Sequence, residues 1–90
     1  MSKARPDHEE GTRLTLKVSS EDNVVTVLDS ELDRCLIAGG LVIDKGIPFG
    51  HKIALCDIAC GRDVIKYGVV IGRATCLIAQ GEHVHVHNIV

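Results

Sequence analysis

The sequence predicts a small all-β domain, and three observations carry that prediction. The chain is 46% apolar but only 2% aromatic, with no Trp, one Tyr and one Phe. Its core must therefore be Val, Ile, Leu and Ala, a composition that favours pleated strands over long helices. Apolar residues alternate at period two in RLTLKV (13–18) and form a β-branched run in NVVTVL (23–28), which is strand patterning. The third observation is an internal repeat whose units each turn on a glycine. Ninety residues make one thin-cored domain, burying somewhat more than ~60% of the unfolded surface.

In chain order, residues 1–11 are polar, contain Pro6 and Gly11, and read as a flexible tail, leaving 12–90 as the domain. RLTLKV and NVVTVL are strands joined by SSED (19–22), whose side chains hydrogen-bond their own backbone in turns. DSELDRCLIA (29–38) is the single helix candidate, with Asp29 or Ser30 as its cap. LVI (41–43) and HKIAL (51–55) read as short strands, separated by DKGIPFG, whose Gly46, Pro48 and Gly50 forbid a regular element. ALCDIACGRDVIKY (54–67) then lies over ATCLIAQGEHVHVH (74–87) at an offset of 20 residues. Ala54, Cys56, Ile58, Ala59, Gly61 and Val64 recur as Ala74, Cys76, Ile78, Ala79, Gly81 and Val84, and CLIAGG (35–40) echoes CLIAQG (76–81). Each unit is an apolar turn, a glycine that re-aims the chain, and a strand. Asp57 and Asp63 fall at the corners, where turn roles are expected. Cys35, Cys56 and Cys76 share one slot of the repeat, as small buried hydrophobes would.

Composition also excludes functions. Net charge is −2, and with neither a basic patch nor aromatic surface for stacking, nucleic-acid binding loses its usual supports. The charged N-terminus lacks the apolar segment of a secretory signal, and no run approaches the ~20 apolar residues of a membrane span. A cytoplasmic protein with reduced thiols is expected. The four cysteines contain no CxxC pair, so neither structural zinc nor a disulfide framework is expected. So many Val and Ile in a small domain imply exposed apolar surface, hence a partner or self-association.

The chemistry-bearing stretch is HVHVH (83–87). As the strand of the last repeat unit it would turn His83, His85 and His87 to one face and Val84 and Val86 to the other. Same-face neighbours lie about 6.5–7 Å apart, so two imidazoles can converge on one ion of the kind imidazole suits. Glu82, Asn88 and His51 are local candidates for a third ligand, and a partner chain is another source. The alternative is a solvated strand face.

PFGHKIAL (48–55), VIKYG (64–68), IGRAT (71–75) and GEHVHVHN (81–88), in this order, resemble the small domain of the altronate and galactarate dehydratases, a hydro-lyase family that includes sulfolactate sulfo-lyases. The resemblance runs from about residue 13 to 90. It implies an SAF-type β-clip fold, a larger catalytic subunit or domain as partner, and a sugar-acid substrate. It further implies a divalent metal, Fe(II) or Mn(II), for which His83, His85 and His51 are the candidate ligands. Lys52, Lys66, His87 and Asn88 are then candidates for holding the substrate's carboxylate and hydroxyls. Removing a weakly acidic proton α to a carboxylate calls for a base, an acid for the leaving oxygen, and stabilisation of the enediolate. The chain contains neither a spaced carboxylate pair nor a nucleophile with its base, so a shared active site is expected. Two other expectations stay open: a subunit of a sulfo-lyase expelling sulfite, and a non-catalytic module binding sugar acid or metal.

Overall fold

The computed structural model describes residues 6, 7 and 9–90, with side chains from residue 9 onward. Seven short strands follow one another: β1 (Pro6–Asp7), β2 (Thr15–Leu16), β3 (Val24–Val27), β4 (Lys52–Ala54), β5 (Asp63–Lys66), β6 (Val69–Arg73) and β7 (His83–Val84). Five form an antiparallel sheet in the order β1-β2-β3-β4-β7, and β5 and β6 form a separate hairpin. Among the described residues there is no helix, so the all-β expectation stands. β1 falls inside the segment read as a tail; residues 1–5 and 8 lie outside the described residues.

The central strand β3 is buried along its whole length and serves two cores, one on each face. Val24 joins Ala54, Ile58, Val64, Ala74, Ile78 and Val84, which the β5–β6 hairpin and the repeat corners close. Val25 and Val27 join Ile53 with Ile37, Ile43 and Ile47. The latter three come from residues 29–50, where the helix (29–38) and the strand LVI (41–43) were expected. Neither forms. Ile37 and Val42 make only isolated bridges, and Arg13 holds this stretch in place. Arg13 is completely buried; it pairs with Asp29 and donates from Nη2 to the Ile47 carbonyl at 2.7 Å. Burial of three isoleucines, with the bonds of Arg13 Nε and Nη2 to Asp29 and Ile47, outweighs weak helix propensity although Arg13 Nη1 stays buried without a partner among the described residues.

The repeat proves to be a local two-fold. Ile58 and Ile78 exchange both backbone hydrogen bonds, at 2.7 and 2.9 Å, and the bonds around them come in matched pairs. Gly61 N–H donates to Ala74 O (2.7 Å) as Gly81 N–H donates to Ala54 O (2.8 Å). Farther out, Asp63 pairs with Arg73 as His83 pairs with Ile53. The relation reaches Asn23 and Asn88. Asn23 Oδ1 accepts from Ile65 N–H (2.7 Å) and its Nδ2 donates to Asp63 O (2.9 Å). Asn88 does the same with His85 N–H (3.0 Å) and His83 O (2.8 Å). Val24 and Ile89, the residues after them, pair with Ala54 and Ala74.

Three further expectations are corrected. Cys56 and Cys76 are exposed and Cys35 half-buried, all with free thiols; the buried position of each unit lies two residues on, at Ile58, Ile78 and Ile37. The strand in HVHVH stops at Val84. β6 is a strand the patterning did not single out. It follows a two-residue loop in which Tyr67 (φ 57°) and Gly68 (φ 73°) are both left-handed, the geometry that matches hairpin twist. Asp22 anchors this loop: its carboxylate accepts from Gly68 N–H at 2.7 Å and from Val18 and Ser19 N–H on the β2–β3 side.

Candidate functional site

β4 and β7 are neighbours in the sheet, with Ile53 opposite His83 and Lys52 opposite Val84. His51 immediately precedes β4, brought in by a turn in which Gly50 is left-handed (φ 84°) and His51 N–H donates to Pro48 O. By alternation His51 and His83 project to the face of Ile53, at the rim of the second core. His51 Nδ1 and His83 Nε2 face each other at 2.8 Å.

After Val84 the chain turns. Asn88 N–H donates to His85 O, and the buried Asn88 side chain bonds back to both His85 N–H and His83 O. Thus Asn88, read as a substrate group, has its amide engaged in holding the turn. The turn keeps the histidines together. His85 stacks on His51 with 3.6 Å between ring centroids, and His83 lies 5.0 Å from both His51 and His87. Val84 is buried as alternation requires, whereas Val86 is 79% exposed on the turn. His87 is exposed as well.

Burial holds the His83 imidazole below its ordinary pKa, and the nearby His51, His87 and His85 reinforce this against the raising influence of Asp44. His85 is lowered by desolvation, then by His51, Lys52 and His87. Both shifts favour the neutral ring, the form that ligates a metal or accepts a proton. Asp44, which the sequence reading passed over, accepts from His83 N–H at 2.9 Å. Its only sequence signal is its place in the DKG turn, typical of turn aspartates in general.

Lys52 lies on the opposite face of β4, in the row of Thr26 and Val84. Burial and the neighbouring Lys66 charge lower its pKa. Lys66 sits at the end of β5 with its ammonium 4.7 Å from the centre of the Tyr67 ring. Five candidates thus gather around β4 and β7, namely His51, His83, His85, His87 and Lys52, while Lys66 approaches from the hairpin. Among the described residues no three His, Cys, Asp or Glu side chains converge with metal-holding geometry. His51 Nδ1 and His83 Nε2 instead share a hydrogen bond of 2.8 Å, one ring donating to the other, so the two would have to part before both could ligate one ion.

No helix of the described residues is long and apolar enough to cross a membrane. Comparison with known proteins places this architecture. The alpha subunit of (2R)-sulfolactate sulfo-lyase from Chromohalobacter salexigens is 55% identical over 47 residues, 52% of this chain and 50% of that protein. Altronate dehydratase from Escherichia coli is 40% identical over 76 residues, 81% of this chain but 15% of the dehydratase. Galactarate dehydratase (L-threo-forming) from the same organism is 40% identical over 75 residues, 78% of this chain and 14% of the enzyme. The matched stretch spans half of the first relative and a small fraction of the dehydratases. The model of the altronate/galactarate dehydratase SAF domain matches residues 13–90, and the chain belongs to that family.

Proposed function

We propose that the chain is the small module of a hydro-lyase acting on a sugar acid, and that it lends its histidine cluster to an active site completed by a larger polypeptide. The observation that carries this reading is the meeting of His51 and His83 at 2.8 Å, with His85 stacked beside them, in a chain similar to part of two sugar-acid dehydratases. Four imidazoles on an open surface, two held neutral, suit the binding of an ion or the movement of a proton. His51 and His83 would hold a divalent metal, Fe(II) or Mn(II), with the remaining ligands supplied by His85, the substrate or the larger polypeptide. When bound, such an ion stabilises the enediolate that forms once the α-proton leaves. Lys52, whose ammonium is partly desolvated and pressed by Lys66, and Lys66 would attract the substrate carboxylate, with His87 at the exposed edge.

A sulfo-lyase is the second reading, favoured by the 55% identity to the sulfolactate enzyme's alpha subunit. Both readings describe expulsion of a leaving group, water or sulfite, from a hydroxy acid. Two experiments test the proposal. The first follows the histidine ring signals by NMR during titration with Mn(II), Fe(II) and diamagnetic Zn(II). Joint response of His51 and His83 at micromolar metal is expected, and silence at millimolar metal would remove the ion from this cluster. The second places the chain in the position of the matching segment of altronate dehydratase, and separately of the sulfo-lyase alpha subunit. Restored dehydration or sulfite release, lost with His83→Ala while the fold persists, separates the two lyase readings. Turnover indifferent to His83→Ala would leave a non-catalytic module.

A further inference from the structure

The local two-fold sets two cysteines face to face at its corners. Each corner is a tight turn, closed by Arg62 N–H donating to Ala59 O and by Glu82 N–H donating to Ala79 O, both at 3.0 Å. The second central residue of each turn is a left-handed glycine, Gly61 (φ 82°) or Gly81 (φ 85°). The first central residue is Cys60 in one corner and Gln80 in the other. Because Ile58 and Ile78 pair antiparallel, a residue two places after one faces the residue two places before the other. Cys60 therefore stands against Cys76, and Gln80 against Cys56.

Side-chain contacts agree with this facing. Gln80 Nε2 donates to Leu55 O at 3.0 Å, the carbonyl next to Cys56. In the same way the Cys60 thiol donates to Thr75 O at 3.3 Å, the carbonyl next to Cys76. A carbonyl oxygen lies about 2.8 Å from the following Cα, so the Cys60 sulfur is within roughly 6 Å of the Cys76 Cα. Both thiols are free and exposed, so rotation about χ1 is open to each. Cys56 faces an amide instead, and Cys35 lies in the separate stretch 29–50 with its thiol on Asp33 O. Between Cys60 and Cys76 run β5 and β6, so a bond here would fasten the base of the hairpin that carries Lys66.

We propose that Cys60 and Cys76 form a reversible disulfide by exchange with small disulfides of the glutathione type. One of the two thiolates attacks the small disulfide, giving a mixed disulfide and releasing one small thiol. The facing thiolate then attacks the protein sulfur of that bond, closing Cys60–Cys76 and releasing the second small thiol. The protein pair loses two electrons and two protons, and the small disulfide gains them as two thiols. Exposure of both cysteines makes this the labile class of disulfide, open to reduction, and not a framework that holds the fold. The proposal stands independently of the lyase reading.

The full 90-residue chain incubated with oxidised glutathione, alkylated with iodoacetamide and digested with trypsin without reduction tests it. Two of the four thiols should lose their reactivity with iodoacetamide, with peptide 53–62 joined to peptide 74–90, and dithiothreitol should restore both. The crosslink should persist in Cys56→Ser and vanish in Cys60→Ser and in Cys76→Ser, which separates Cys60 from Cys56 within their shared peptide. Gln80→Cys placed in the Cys60→Ser background should regain a crosslink, now between Cys56 and the introduced thiol. Its absence there, with the first crosslink formed, would refute the two-fold placement on which the facing rests. A crosslink surviving Cys60→Ser, one formed only between two copies of the chain, or glutathione left on Cys60 and Cys76 as unresolved mixed disulfides would overturn the proposal.

Discussion

Asn88→Ala puts the two-fold and the histidine cluster to one test. Asn88 is 2% exposed, and its amide accepts from His85 N–H at 3.0 Å and donates to His83 O at 2.8 Å. Alanine removes both bonds and leaves a partly buried N–H and C=O without partners. A net hydrogen bond contributes about 1 kcal/mol, and each group stranded without one costs about 1–3 kcal/mol, so a loss of roughly 2–4 kcal/mol is expected. Asn23→Ala removes the equivalent bonds to Ile65 N–H and Asp63 O. Asn23 is only half-buried, and water can replace its lost partners, so about 1–2 kcal/mol is expected there. Urea unfolding of both variants measures the difference. NMR of the rings reads the local consequence, with His85 leaving the face of His51 in Asn88→Ala but not in Asn23→Ala. Equal losses in the two variants, or an undisturbed His85 in the first, would refute the assignment of Asn88 as the support of the cluster.

Gly81→Ala and Gly61→Ala form a second matched pair. Both glycines are left-handed, with φ of 85° and 82°, but a Cβ on Gly81 would stand 2.2 Å from the Val42 carbonyl while one on Gly61 meets nothing within 4 Å. Gly61→Ala should cost only the strain of that backbone conformation, about 1–2 kcal/mol, and Gly81→Ala clearly more in the same urea assay. Acid stability follows Asp22 and Asp29. Burial raises both, but backbone N–H donors, chiefly Gly68 for Asp22 and Leu14 for Asp29, together with the Arg13 pairing of Asp29, lower them further below the ordinary 3.8. A carboxyl depressed in the folded state stabilises above its unfolded pKa, and that stability is lost as pH falls through the folded value. Unfolding free energy should therefore be level above about pH 5 and fall below about pH 4, with a shallower acid limb in Asp22→Asn. Arg13→Met leaves the Asp29 carboxylate without its buried partner and should cost about 3–5 kcal/mol; Arg13→Met with Asp29→Asn should recover part of it by thermal melts.

Much of the site was legible because histidine spacing is a local property. GHKIAL and GEHVHVHN name His51, His83, His85 and His87, and the structure brings these four rings together. Their arrangement was not legible. Alternation alone treats HVHVH as one strand, but a buried asparagine at position 88 offers His85 N–H a better acceptor than a neighbouring strand does, and the chain turns. The signal existed, since Asn-Val-Val at 23–25 and Asn-Ile-Val at 88–90 are the same device, but three residues are too few to be recognised without their partners. The cysteine slot failed for a related reason: repetition identifies equivalent positions, not which of them point inward.

The all-β class, the repeat units and the histidines that the structure brings together were legible in the sequence itself, because composition, period and spacing act over a few neighbouring residues. Tertiary structure decided what those units do to one another. It set Ile58 against Ile78 on a two-fold, spent residues 29–50 on covering the second core through Arg13 instead of forming a helix, and brought His51 to His83 across the β4–β7 pairing. It also left Val69, Val70 and Ile71 of β6 exposed. These outcomes depend on which long-range contacts bury the most apolar surface while satisfying every backbone group, and no local pattern contains that sum.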